Sequence, residues 1–237
     1  MVKYLDSPPA PARLSGPVVR GRVLVFAPHP DDETIGPGGT LLQHSQGGDE
    51  IHVVFVTDGT SGDPSGQEDP QAYAEVRVRE GRAAAEILGI GGIESWGLPD
   101  NHKVTEDDLS LFVPRMIETI QKVKPDVIYA PHEGDQHRDH YATCIALRRA
   151  LAGLRRPPMA FGYEVYSASL ASHVVDISDQ YERKMEALKC YGSQLEHTDI
   201  ERFVTGLNAY RAVFLQKGAR FGEAFVPLIR AKDAGRR

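Results

Sequence analysis

Cysteine is scarce in this chain, with only Cys144 and Cys190 among 237 residues. So few thiols exclude a disulfide-stapled scaffold and a cysteine-rich metal centre, and they fit a reducing compartment. Long apolar runs are also missing, so no membrane-spanning helix and no membrane partner are expected. An excess of positive charge is absent: 27 Lys and Arg stand against 33 Asp and Glu, a formal net charge of −6. That balance excludes a broad nucleic-acid footprint. There is no internal repeat and no low-complexity tract. The opening stretch "MVKYLDSPPAPARLSGPVVRG" has acid and proline where a signal peptide needs apolar residues, so residues 1–21 read as an extended lead-in. The cytoplasm is the expected location.

What is present is a globular composition, 41% hydrophobic and 25% charged, on a length that suits one domain over residues 1–237. Short apolar runs rich in β-branched residues alternate with helical patterns. "RVLVFA" from Arg22, "IHVVFVT" from Ile51, "ESWGL" from Glu94 and "DVIYAPH" from Asp126 read as strands. "FGYEVY" and "HVVDIS" read as later strands. Helical patterns cover residues 73–88, closing at Gly89, and 108–123, closing at Lys124-Pro125. Further helices are expected over 141–154, 179–191 and 199–215. The alternation predicts an α/β fold, an open and mostly parallel sheet covered on both faces. Ligands in such folds bind beyond the carboxyl ends of the strands.

Two polar clusters fall at such strand ends. "APHPDDETIGPGGT" follows the first strand and supplies His29, Asp31, Asp32 and Glu33. "PHEGDQHRDH" follows the fourth and supplies Asp135, His137, Asp139 and His140. Aspartates favour turns and helix starts, so either cluster alone reads as N-cap chemistry. Both at one sheet edge suit a divalent transition metal: two imidazoles and one carboxylate hold zinc in hydrolases. Adjacent aspartates cannot both point one way, so one can ligate while its neighbour faces a metal-bound water. His137 and His140 share a face on a helical first turn, so one can ligate and the other meet the substrate. Asp139 can orient an imidazole.

"APHPDDETIGPGGTL" together with "P-x3-D-x-H-x-D-H" resembles the PIG-L/LmbE-like family of zinc-dependent de-N-acetylases. "RVREGRAAAEILG", "GLPDN", "ALKCYGSQ" and "GEAF" follow in the same order. The resemblance implies a Rossmann-like three-layer sandwich and hydrolysis of an acetamide on an N-acetylglucosamine-containing small molecule. It implies Zn2+, or Fe2+ or another divalent metal, on His29, Asp32 and His140. Asp31 is then the general base, His137 the oxyanion stabiliser and Asp139 its tuning partner, with Arg77 and Asp100 contacting the sugar. A small N-acetylated substrate and a homo-oligomer are the partners it implies. Three residues depart from the family pattern: Arg138 replaces a common proline, Asn101 a common glycine, and Asp135 the tyrosine of the mycothiol-pathway branch. The last points towards the bacillithiol-pathway and chitooligosaccharide-type enzymes.

Other readings were weighed on the same residues. A ferrous-iron oxygenase uses two histidines and a carboxylate, but on a jelly-roll sheet. A different small amide is the alternative substrate. "GPGG" lacks the dinucleotide-binding spacing. His44, His52, His102, His173 and His197 each stand alone and read as surface or satisfied structural residues, whereas His132 lies near enough to line the pocket. Glu33 reads as a supporting or helix-start acid, and Trp96 and Cys144 as core.

Overall fold

The computed structural model describes residues 9–229 apart from 64, 67 and 102. His102 and residues 1–8 of the lead-in lie outside the described residues. The strands are β1 (Ala12–Leu14), β2 (Val23–Ala27), β3 (Ile51–Thr57), β4 (Gly92–Leu98), β5 (Val127–Pro131), β6 (Met159–Tyr163), β7 (His173–Asp176) and β8 (Gly222–Pro227). The helices are α1 (Asp32–Ile35), α2 (Gly38–Gln46), α3 (Pro70–Leu88), α4 (Glu106–Val123), α5 (Arg138–Gly153), α6 (Tyr181–Leu188), α7 (Gly192–Leu195) and α8 (Ile200–Ala212). Together the strands form one eight-stranded sheet in the order β1-β7-β8-β6-β5-β2-β3-β4.

Every residue of β2 is buried, because strand side chains alternate and helices cover both sides. Val23, Val25 and Ala27 pack with Leu41 of α2, Leu88 of α3 and Leu188 of α6. Leu24 and Phe26 pack on the other face with Met116 and Ile120 of α4 and Cys144 and Leu147 of α5. This is the three-layer, mostly parallel α/β architecture expected from the alternation.

The order of the strands locates the site. From β2 the chain moves outward through β3 to β4. It then returns by α4 to β5, on the far side of β2. The carboxyl ends of β2 and β5 therefore flank a topological switch point, where open α/β sheets bind ligands.

Several elements differ from the sequence reading. Part of the lead-in is an edge strand, because Ala12–Leu14 pairs in parallel with β7. "GEAFVP" is a strand inserted antiparallel between β6 and β7. Helix α3 begins at Pro70, where the Asp69 side chain caps the Ala72 N–H. Helix α4 begins after a reciprocal Thr105–Asp108 capping box. Helix α5 begins at Arg138, which puts Asp139 and His140 in its first turn. Among the described residues no helix is long and apolar enough to cross a membrane.

Candidate active site

The loop after β2 is fastened before it turns. Both the N–H and the hydroxyl of Thr57 on β3 donate to the Pro28 carbonyl, at 2.9 and 2.8 Å. Asp31 then adopts φ 142°, a conformation that favours glycine. Its N–H donates to Glu33 Oε2 at 3.1 Å. The other Glu33 oxygen accepts from Thr34 Oγ1 at 2.6 Å and from the Tyr191 hydroxyl. Glu33 thus holds the strained peptide from beneath. Gly36 closes the turn under Tyr163, whose ring would lie 2.3 Å from any Cβ placed there.

The loop after β5 is organised by Asp135. Its Oδ1 accepts the His137 N–H at 2.9 Å and its Oδ2 accepts the Tyr166 N–H at 3.0 Å. His137 caps α5, accepting the Asp139 N–H on Nδ1 at 3.3 Å. A neutral His137 ring therefore carries its proton on Nε2.

The two loops meet at Asp32. Its Oδ2 lies 3.1 Å from His29 Nδ1 and 3.2 Å from His140 Nε2. Each imidazole presents its second nitrogen to another carboxylate. His29 Nε2 faces Asp100 at 3.1 Å and Asp139 at 3.3 Å, and His140 Nδ1 faces Asp135 at 3.3 Å. A carboxylate behind each imidazole is the usual support of a ligating histidine. Ring nitrogens of His29, His137 and His140 lie within 4.8 Å of one another, as do donor atoms of His29, Asp100 and Asp139.

The residues fit a cation on their own chemistry. Both His140 ring nitrogens are buried and make no hydrogen bond despite those neighbouring carboxylates. Asp32, Asp100, Asp135 and Asp139 crowd two imidazoles, so the pocket carries negative charge that a divalent ion would balance. A cation beside Asp32 Oδ2 would leave both histidines their supporting carboxylates.

The adjacent aspartates are driven in opposite directions. Burial pushes Asp31 up to about 6, against the pull of the Arg77 guanidinium. Burial also opposes charge on Asp32, but the His140 and His29 imidazoles hold it well below the usual carboxylate range. Paired acids with separated pKa values mark a division of labour. Burial opposes charge on the two imidazoles as well. His29 is nonetheless held well above its usual range by Asp100, Asp139 and Asp32, and His140 is raised to about 9 by Asp32 and Asp135. Burial lowers His137, and the two neighbouring imidazoles lower it further.

The remaining residues come from the loops after β3 and β4 and from α3. Arg77 is fully buried and donates through Nη2 to Asp31 Oδ2 at 3.1 Å and to the Pro30 carbonyl at 2.6 Å. Its Nε and Nη1 have no partner. Asp100 accepts the Ser61 N–H at 2.9 Å. Asn101, at φ 53°, donates its N–H to Asp139 Oδ2 at 2.8 Å, and its carbonyl accepts from Arg138 at 3.0 Å. All eight site residues expected from the sequence thus stand in one cluster: His29, Asp31, Asp32, Arg77, Asp100, His137, Asp139 and His140.

Asp135, Tyr166 and Tyr191 were not assigned roles from the sequence. The two-residue spacing of Asp135 before His137 is a turn signal that could have found the first. His132 bonds the Ser167 carbonyl at 2.7 Å and the Gly134 N–H at 3.0 Å, so it fastens a loop. His44 is satisfied between Asp49 and Tyr129.

Imidazoles and carboxylates gathered at the switch point of an open α/β sheet form a centre that could hold a metal ion. The fold matches that of the N,N'-diacetylchitobiose deacetylase from Pyrococcus horikoshii, with a TM-score of 0.75 at 26% identity, over 87% of this chain and 83% of that one. Residues 24–151 match the PIG-L family model, described as GlcNAc-PI de-N-acetylase. The chain belongs to this family of amide hydrolases. It is 31% identical over 192 residues to the diacetylchitobiose deacetylase of Thermococcus kodakarensis, covering 73% of this chain and 70% of that protein. It is also 31% identical over 167 residues to the 1D-myo-inositol 2-acetamido-2-deoxy-alpha-D-glucopyranoside deacetylase of Mycolicibacterium smegmatis. That match covers 61% of this chain and 57% of the mycobacterial protein.

Proposed function

We propose that the protein is a metal-dependent N-deacetylase that hydrolyses the acetamide of an N-acetylglucosamine-containing small molecule and releases acetate. The observation that carries this reading is Asp32 Oδ2, set between two buried imidazoles beside a strained Asp31. Family membership supports the reaction class. His29, Asp32 and His140 are the proposed ligands, and zinc suits two imidazoles and a carboxylate. The chemistry a divalent cation would supply there is a lowered pKa for a bound water and polarisation of the amide carbonyl.

Asp31, next to the proposed ligand Asp32 and held by Arg77, takes the proton of the attacking water. His137 donates from Nε2 to the oxyanion of the tetrahedral intermediate. A neutral imidazole is a hydrogen-bond donor rather than a proton source, so the departing amine takes its proton from Asp31. Asp139 tunes the site by fixing the His137 tautomer through its N–H and steering His29 through its carboxylate. Arg77, which leaves Nε and Nη1 without a partner, and Asp100, beside His29, are the proposed sugar contacts. A cytoplasmic setting is proposed from the scarcity of cysteine.

The test is a panel of N-acetylated sugars and thiol precursors incubated anaerobically with metal-reconstituted protein. Equimolar acetate and free amine are expected. Oxygen-dependent product, or no amine from any sugar, would overturn the reading.

A further inference from the structure

We infer that Tyr166 is the surface on which the pyranose ring bearing the acetamide rests. The inference builds on the deacetylase reading, and its test separates the two. Tyr166 lies in the loop between β6 and β7 and is 59% exposed. Its ring nevertheless abuts the reacting centre. It stacks on His137 with centroids 5.6 Å apart at 25°, and it lies 5.4 Å from the His140 ring. Phe203 of α8 lies alongside it, 6.0 Å away at 17°.

An exposed aromatic side chain is ordinary on a mobile loop, but this loop is fastened on both sides of Tyr166. Asp135 holds the Tyr166 N–H. Ser167 is gripped through its carbonyl by His132 and through its hydroxyl by the Gln136 N–H at 3.1 Å. Arg211 pairs with Glu164 and donates to the Ser169 carbonyl at 2.8 Å. A rigid aromatic surface beside a catalytic centre loses little freedom when something settles on it.

Chemistry then names what settles there. With the acetamide carbon at the His29, Asp32 and His140 cluster, the sugar carbon bearing nitrogen is two bonds away. The ring next to Tyr166 is therefore the one that carries the acetamide. A pyranose presents a face of C–H groups, which complements the electron-rich face of an aromatic ring. The phenol hydroxyl has no part in this, so phenylalanine should serve as well as tyrosine.

The test compares kcat and KM for N-acetylglucosamine and diacetylchitobiose in the metal-loaded wild type, Tyr166→Ala and Tyr166→Phe, with Tm as a folding control. Tyr166→Ala should raise KM roughly five- to tenfold, the scale of one aromatic contact, with kcat changed less than twofold. Tyr166→Phe should match the wild type. An unchanged KM in Tyr166→Ala overturns the inference, as does equal damage in Tyr166→Phe. A fall in kcat at constant KM also overturns it, because Tyr166 would then position His137. If the wild type deacetylates neither sugar, the deacetylase reading fails first. Titration of N-acetylglucosamine into wild type and Tyr166→Ala then decides the platform alone, and equal affinities sink it.

Discussion

Helices α1 and α2 have buried charge at both ends of their short span, and the two groups are finished differently. Lys184 donates to the Ile35 carbonyl at 2.8 Å, to Asn208 at 3.0 Å and to Glu223 at 2.8 Å. Glu223 also accepts the Gly39 and Thr40 N–H groups and the Thr40 hydroxyl. Every polar atom of that Lys–Glu pair has a partner. The active-site group is left incomplete. Of the six buried side-chain atoms without a hydrogen bond among the described residues, four belong to Arg77 and His140. A buried network that only supports the fold tends to be fully satisfied, because each orphan donor costs about 1–3 kcal/mol. Unpartnered atoms and a strained Asp31 set apart the group proposed to take a cation and a substrate.

That contrast can be broken experimentally, the largest effect first. Asp31→Asn should lower turnover by a factor on the order of 10²–10⁴ while leaving metal content close to that of the wild type. Elemental analysis alongside single-turnover rates checks both, and near-normal turnover would remove Asp31 as the base. Lys184→Ala should do the opposite, destabilising the fold by about 3–5 kcal/mol, since it strands the buried Glu223 charge. Urea denaturation measures this, and a loss below 1 kcal/mol would show that the two groups are not different in kind.

A pH series sharpens the difference at Asp31. Its carboxyl rises from 3.8 to about 6 on folding, so the folded state resists ionisation. The metal-free protein loses nothing from this group below pH 3.8. The penalty grows as pH climbs through 6, to on the order of 3 kcal/mol. Asp31→Asn should therefore melt above the wild type at pH 7, with the gap closing by pH 4. Zinc, finally, should raise the wild-type melting temperature by the equivalent of about 2.7 kcal/mol at one hundred times its dissociation constant. His140→Ala should show no such rise, and a full zinc response in that variant would remove His140 as a ligand.

The chemistry was legible in the sequence because it is local. "HPDD" and "HRDH" each place their side chains by turn and helix-start geometry, and the strand-helix alternation sends both to one sheet edge. The eight residues taken from these motifs, from "RVRE" and from "LPDN" are neighbours in space. What escaped depends on distant partners. "GEAFVP" has too little periodicity to announce a strand, and only its place between β6 and β7 makes it one. Glu33 reads from the sequence as a supporting or helix-start acid, and which of the two it is depends on Tyr191, far along the chain, which holds it under Asp31. Tyr166 lies in a loop of ordinary composition, and its importance comes from Asp135 and the His137 ring rather than from its sequence neighbours. The helix starts at Pro70 and Arg138 precede the apolar spacing because the capping side chains of Asp69 and His137 define them.

The position of β8 carries a consequence for assembly. Strands β7 and β1 reach the rest of the sheet only through β8, and Glu223 on that strand grips the amino end of α2, just beyond "HPDD". Residues 222–227 must therefore be in place before β7 and β1 can join the sheet and before the amino end of α2 is held. The last strand of the chain thus completes a sheet whose functional edge is built from far earlier residues.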